Sequence, residues 1–143
     1  MAINQISIFV ENSVGRLAEV TAVMGDAGID MRAMCIADTA DFGILRVIVS
    51  NPKRALEILR ASECVVSVTQ VLAISIPDTP GSLSRVIGIL ADAGVSVEYA
   101  YAFITRKKGN AYVIFRVEDN ERAEEILARN GIETANESEL YEL

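Results

Sequence analysis

Histidine and tryptophan are absent from this 143-residue chain, and it holds only two cysteines and three prolines. Without histidine the commonest general base and the commonest metal ligand are gone. Ser–His and Cys–His nucleophiles and most zinc schemes go with them. Cys35 and Cys64 lack Cys-x-x-Cys spacing and sit in apolar, strand-like runs. They read as buried free thiols of a reducing compartment rather than as a disulfide or metal pair. No apolar run exceeds a few residues, so no membrane-spanning segment is expected. No basic n-region followed by an apolar h-region opens the chain, and a cytoplasmic location is expected. Basic residues are outnumbered, 13 Lys and Arg against 20 Asp and Glu for a net charge of −7. That balance opposes a nucleic-acid partner, which needs Lys and Arg to neutralise phosphates. Neither Gly-Lys-Ser/Thr nor Gly-x-Gly-x-x-Gly occurs, so the glycine turns are not phosphate loops. No catalytic residue, metal or cofactor is expected, and the chain does not read as an enzyme.

What is present is 51% hydrophobic and 23% charged residues, the balance of a folded protein. Part of the acidity gathers in the tail, at Glu133, Glu137, Glu139 and Glu142. There it reads as a solvated edge that favours solubility.

One short turn organises the rest. Glu11-Asn12-Ser13-Val14-Gly15-Arg16-Leu17 follows an alternating apolar run (Ile6, Ile8, Val10) and precedes a run with helical spacing: Leu17, Val20, Val23, Met24 and Ala27. Ile76-Pro77-Asp78-Thr79-Pro80-Gly81-Ser82-Leu83 repeats the pattern, after Leu72, Ile74 and Ile76 and before Leu83, Val86, Ile87, Leu90 and Ala93. Each turn joins a strand end to a helix start. Backbone N–H groups there lack partners, and the helix dipole favours an anion. Gly15 and Gly81 allow the bend and a close approach. Such a corner suits an anion, and the carboxylate of a free amino acid is the expected one.

Taken in order, copy one reads as a strand at 3–10, a helix at 16–27 ended by Gly28, strands at 30–37 and 44–50 around a hairpin loop at 38–43, and a helix capped by Asn51 with Pro52 in its first turn. A last strand begins near Cys64. Copy two repeats this at an offset of 66: Gly15, Leu17, Val20, Gly28 and Gly43 meet Gly81, Leu83, Val86, Gly94 and Gly109. Beyond the hairpin the offset becomes 68, so that Arg54-Ala55-Leu56-Glu57-Ile58-Leu59 meets Arg122-Ala123-Glu124-Glu125-Ile126-Leu127. An insertion at a hairpin is what a duplicated fold tolerates. The fold class is therefore α+β, two βαββαβ ferredoxin-like units at 1–70 and 71–143. Residues 65–76 contain no Gly, Pro, Asn or Asp, so the junction reads as extended strand rather than a loose tether.

These residues resemble the ACT domain, a small-molecule regulatory module of amino-acid metabolism. The matching stretches are Asn12 to Leu17 with Ala27-Gly28-Ile29-Asp30-Met31, and Asp78 to Leu83 with Ala93-Gly94-Val95-Ser96-Val97. The resemblance covers the whole chain, twice. It implies two ACT units side by side in an eight-stranded antiparallel sheet with helices on one face, their second strands meeting. It also implies an amino-acid effector bound at the interface of the units. Carried over residue by residue, Asn12 takes the place of the turn Asn and Asp30 that of the polar residue opening strand 2; Asp78 and Ser96 take those places in the second copy. The ligand-binding set this implies comprises Asn12, Val14, Gly15, Arg16, Leu17, Asp30 and Met31 in copy one. In copy two it comprises Asp78, Thr79, Pro80, Gly81, Ser82, Leu83, Ser96, Val97, Tyr99 and Tyr101. Asn12, Asp30 and Asp78 offer acceptors for an ammonium, and the helix start offers donors for a carboxylate. Val14 stands where the family often has the proline seen at Pro80, and the polar pairs differ, so two unequal sites are implied.

Several residues carry two readings. Asp30 and Asp78 are ligand acceptors or solvated turn carboxylates. Tyr99, Tyr101 and Phe103 alternate on one strand face and either wall a side-chain pocket or pack between sheets, with Met31, Ala33 and Cys35 taken as their copy-one equivalents. Arg16 meets a ligand carboxylate or is a surface helix residue. Arg106-Lys107-Lys108 reads as a solvated hairpin tip rather than a contact for an acidic partner. Three functions follow: a non-catalytic protein that binds an amino acid and signals to a metabolic enzyme partner; a small regulatory subunit of an amino-acid-biosynthetic enzyme; and a ferredoxin-like nucleic-acid or metal module. Acidity and the missing Cys-x-x-Cys count against the third. Exposed edge strands and an uncovered sheet face point to a homodimer.

Overall fold

A computed structural model describes residues 2–38, 42–103, 105 and 108–142. Its elements run β1 (Ile3–Glu11), α1 (Arg16–Asp26), β2 (Met31–Asp38), β3 (Phe42–Val49), α2 (Pro52–Ala61), β4 (Val66–Pro77), α3 (Ser82–Asp92), β5 (Val97–Phe103), β6 (Asn110–Val117), α4 (Asn120–Arg129), β7 (Thr134–Ala135) and α5 (Glu137–Glu142). The chain divides into two compact units, Asn4–Thr69 and Met1–Ile3 with Gln70–Leu143. Each follows the split βαβ plan, so the fold is α+β and ferredoxin-like, in tandem.

In the unit Asn4–Thr69 the strand order is β2-β3-β1-β4. β1 pairs antiparallel with β3, Ile8 opposite Leu45, and β2 pairs antiparallel with β3. Alternation sends Ile6, Ile8 and Val10 to one face, with Leu45, Val47 and Val49 beside them. Val20 and Met24 of α1 and Ala55 and Leu59 of α2 close over that face to complete the core. The sequence dictates the helix ends. Asn51 accepts the Arg54 amide at 3.1 Å, with Pro52 at the first position, where a missing N–H is harmless. At the C-terminus of α1, the amides of Gly28 and Ile29 donate to the carbonyls of Gly25 and Met24, both at 3.0 Å, in a Schellman arrangement.

The unit Gln70–Leu143 repeats the plan as β7-β4-β6-β5. Leu72, Ile74 and Ile76 form its core with Val113, Phe115, Val117, Val86, Leu90, Ala123 and Leu127. Gly94 and Val95 close α3 as Gly28 and Ile29 close α1, at 2.9 and 2.8 Å. Seven strands appear among the described residues instead of eight because β4 is continuous. It provides both the last strand of the first copy and the first strand of the second.

Two details depart from the sequence reading. The acidic tail is helical over Glu137–Glu142, with Leu140 fully buried, rather than only a solvated edge. The two-residue insertion also precedes Gly43. Gly43 pairs with Val10, and the residue paired with the matching Ile76 is Ala111, so Gly43 corresponds to Ala111 and not to Gly109. Of the basic hairpin cluster, Arg106 and Lys107 lie outside the described residues, and Lys108 is exposed. Both cysteines are free thiols, Cys64 buried and Cys35 half-buried.

Candidate functional site

The strand β1 ends at Glu11, and the chain turns sharply: the Ser13 amide donates to the Glu11 carbonyl at 2.8 Å and the Arg16 amide to the Ser13 carbonyl at 3.3 Å. Gly15 then adopts the left-handed conformation (φ 86°) at the helix N-cap, and no side chain caps the helix. A glycine cap carries no side-chain oxygen, so beyond the Arg16 amide already bonded to Ser13 the first-turn amides have no side-chain acceptor, and the positive end of the dipole is left uncapped. The second turn is built alike. Gly81 has φ 90° at an equally uncapped start of α3, and the Ser82 amide donates to Thr79 at 3.2 Å.

A cleft of about 230 Å³ opens beside the first turn, lined by Val10, Glu11, Asn12, Ser13, Leu17, Ile36, Gly43 and Leu45. Asn12 and Leu17 belong to the set the sequence implied. Val10, Glu11, Ser13, Ile36, Gly43 and Leu45 do not. The turn residues and helix start form one side, and the β2–β3 ladder, in which Ile36 stands opposite Leu45, forms the other. The Asn12 side chain is exposed and makes no hydrogen bond among the described residues.

The remaining candidates fall elsewhere. Val14 projects fully into solvent. Arg16 pairs with Glu19 on its own helix at 2.9 Å, a hydrogen bond that raises the guanidinium pKa above its ordinary value. Asp30 lies at the start of β2, bridged to Arg32 at 3.1 Å. Because β1 and β2 both run antiparallel to β3, the turn and Asp30 occupy opposite ends of this unit. Within the unit the structure does not bring Asn12 and Asp30 together. Met31 packs against the core.

In the second unit, Pro80, Gly81 and Ser82 line a recess of about 420 Å³ with Arg85, Gly131 and Ile132. Asp78 and Thr79 are exposed on the turn, where the Thr79 and Ser82 hydroxyls bond at 2.9 Å, and Leu83 is 43% exposed. Ser96 lines a separate recess of about 310 Å³ with Glu98, Glu118, Asp119 and Arg122, and Val97 packs against the core.

Tyr99, Tyr101 and Phe103 do share one face, opposite Arg116, Ile114 and Tyr112, and it is the face away from the helices. Tyr101 and Phe103 are buried, and Phe103 packs on Tyr112 with ring centroids 6.2 Å apart. They therefore do not wall a pocket beside the turn in their own unit. The matching ladder pairs make Ala33, Cys35 and Ala37 their copy-one equivalents, and Met31 instead matches Val97, both standing on the core face before a register shift.

Among the described residues no group of His, Cys, Asp and Glu could hold a metal ion, and no helix is long and apolar enough to cross a membrane.

The comparisons with known proteins agree with this architecture. The family model of an ACT domain pair matches residues 1–143, and the chain belongs to that family. A protein of solved structure from Bacteroides thetaiotaomicron is 41% identical with a TM-score of 0.93, the match covering 100% of this chain and 98% of that one. The regulatory subunit of aspartate kinase from Thermus thermophilus, in its ligand-free form, has 18% identity and a TM-score of 0.62, over 88% of this chain and 90% of that one. Its counterpart from Thermus flavus has 17% identity and a TM-score of 0.61 over the same shares. At those two identities the likeness is one of fold. No curated protein matches the sequence.

Proposed function

We propose that this chain is a non-catalytic regulatory protein of the cytoplasm that binds a free amino acid at an ACT turn and passes that occupancy to a metabolic partner. The observation that carries the reading is the cleft beside the first turn, where an uncapped helix start and the unbonded Asn12 side chain adjoin apolar walls. Uncapped amides suit a carboxylate, and the Asn12 amide oxygen suits an ammonium. A cleft of about 230 Å³ is smaller than the roughly 300–1,000 Å³ that holds drug-sized ligands, which favours a molecule of about ten heavy atoms. Regulation follows if the partner distinguishes the occupied protein from the free one.

A second reading, a small regulatory subunit of an amino-acid-biosynthetic enzyme, draws support from the fold shared with regulatory subunits of aspartate kinase. The two readings share the ligand and differ in the partner. Co-purification of a catalytic chain selects the second. β2 and β5 end their units' strand orders, and unpaired edges of this kind favour a homodimer.

The test is a thermal-shift screen of the full chain against the twenty amino acids. One or a few should raise the melting temperature in a saturable way, and a flat response to all twenty overturns the proposal. Asn12→Ala and Asp78→Ala then identify the copy responsible.

A further inference from the structure

Resting on that reading, we infer that the cleft of the unit Asn4–Thr69 selects an amino acid with an aliphatic side chain, and that the second unit does not offer the same seat. The polar members of the lining, Glu11, Asn12 and Ser13, are consecutive and gather at the turn. Val10, Leu17, Ile36 and Leu45 supply the rest of the wall together with Gly43. A ligand whose backbone groups meet the turn therefore directs its side chain onto hydrocarbon. A charged or hydroxyl-bearing side chain placed there gives up water and gains no partner.

Gly43 shapes the seat. A Cβ built on it comes within 3.5 Å of Ile36 Cγ2 and of the Ala37 carbonyl oxygen, which is ordinary contact. It would occupy space in the cleft without forcing the strands apart. The strand registers identify the matching places in the second unit. Ala111 pairs with Ile76 as Gly43 pairs with Val10, Val113 pairs with Ile74 as Leu45 pairs with Ile8, and Ala102 pairs with Val113 as Ile36 pairs with Leu45. A methyl thus stands where the first unit has a hydrogen, and the isoleucine wall is cut back to alanine. The duplication has kept the turn and changed what the turn faces.

Isothermal titration of the full chain with leucine, isoleucine, valine, alanine, threonine, aspartate and lysine tests this. An aliphatic amino acid should bind about tenfold or more tightly than alanine, since each additional buried methylene adds to affinity. Ile36 is 46% exposed, so Ile36→Ala leaves the fold intact. It should weaken the preferred aliphatic ligand about tenfold and alanine hardly at all. Gly43→Ala should likewise penalise the larger ligand more than alanine. Tightest binding of a charged or hydroxyl amino acid, weakened by Asn12→Ala, leaves the amino-acid reading standing and overturns the aliphatic assignment. Aliphatic binding indifferent to both Ile36→Ala and Gly43→Ala overturns the placement in this cleft. Failure of all seven to bind overturns the aliphatic assignment, and a flat response to all twenty in the thermal-shift screen overturns the amino-acid reading as well.

Discussion

Gly15 and Gly81 hold the same left-handed backbone conformation, φ 86° and 90°, at matching helix starts in the two units. A side chain at either position meets nothing within 4 Å, so any cost of adding one comes from the backbone alone. Gly15→Ala and Gly81→Ala should each lower stability by about 1–2 kcal/mol, the penalty of the left-handed region for an L-residue. Gly15→Asn should cost less, since asparagine visits that region more readily. Urea unfolding midpoints at constant slope give the comparison; an alanine variant as stable as the parent is incompatible with this geometry.

The short helix α5 is held by a cap at its N-terminus and by one buried side chain. The Asn136 side-chain oxygen accepts the Glu139 amide at 3.0 Å while the Glu139 carboxylate accepts the Asn136 amide at 3.2 Å, a reciprocal cap. Leu140 fixes the other side by full burial. Loss of the cap in Asn136→Ala should cost about 1 kcal/mol. Leu140→Ala leaves a void and should cost about 2–5 kcal/mol. Equal effects of the two changes in denaturant titrations would show that packing is not the stronger anchor.

The pH dependence of stability has a specific contributor in the same helix. Burial, reinforced by the negative charge of Glu137, pushes the Tyr141 phenol up to about 12 from its ordinary value near 10. Unfolding lets the phenol ionise near 10 while the folded state keeps its proton. The stabilisation is therefore complete below pH 10 and fades as pH rises toward 12. Tyr141→Phe removes the ionisation, so its stability should fall less than that of the parent between pH 9 and 11.5. Parallel decline of the two proteins refutes the assignment.

Much of this architecture is legible in the sequence because local signals agree with one another. Alternation in Ile6-Ser7-Ile8-Phe9-Val10, helical spacing from Leu17 to Met24, and the Asn51-Pro52 start each specify an element, and the second copy repeats them. The far wall of the cleft is not legible, because Ile36, Gly43 and Leu45 reach the turn only through strand pairing. Matching glycine to glycine sets Gly43 against Gly109, whereas the ladder sets it against Ala111. Side-chain alternation carried through Met31 fails because the register shift there moves the following residues to the other face. The helix α5 is too short for periodicity to reveal, although Asn136 and Glu139 carry the spacing of a capping box. The four glutamates of the tail carry the composition of a solvated edge, which masks the short helix.

Asn12 offers a way to separate binding from folding. Its side chain is exposed and hydrogen-bonds to nothing among the described residues, so Asn12→Ala should change the stability of the free protein by less than about 0.5 kcal/mol. A ligand present at one hundred times its dissociation constant stabilises the parent by about 2.7 kcal/mol. If the substitution weakens binding about tenfold, the same ligand concentration is only ten times the new constant, and the gain falls to about 1.4 kcal/mol. Unfolding titrations of both proteins, with and without the amino acid found in the screen, measure all four quantities. A variant less stable in both conditions by one constant amount would make Asn12 structural, and a variant unchanged in both would place the ligand elsewhere.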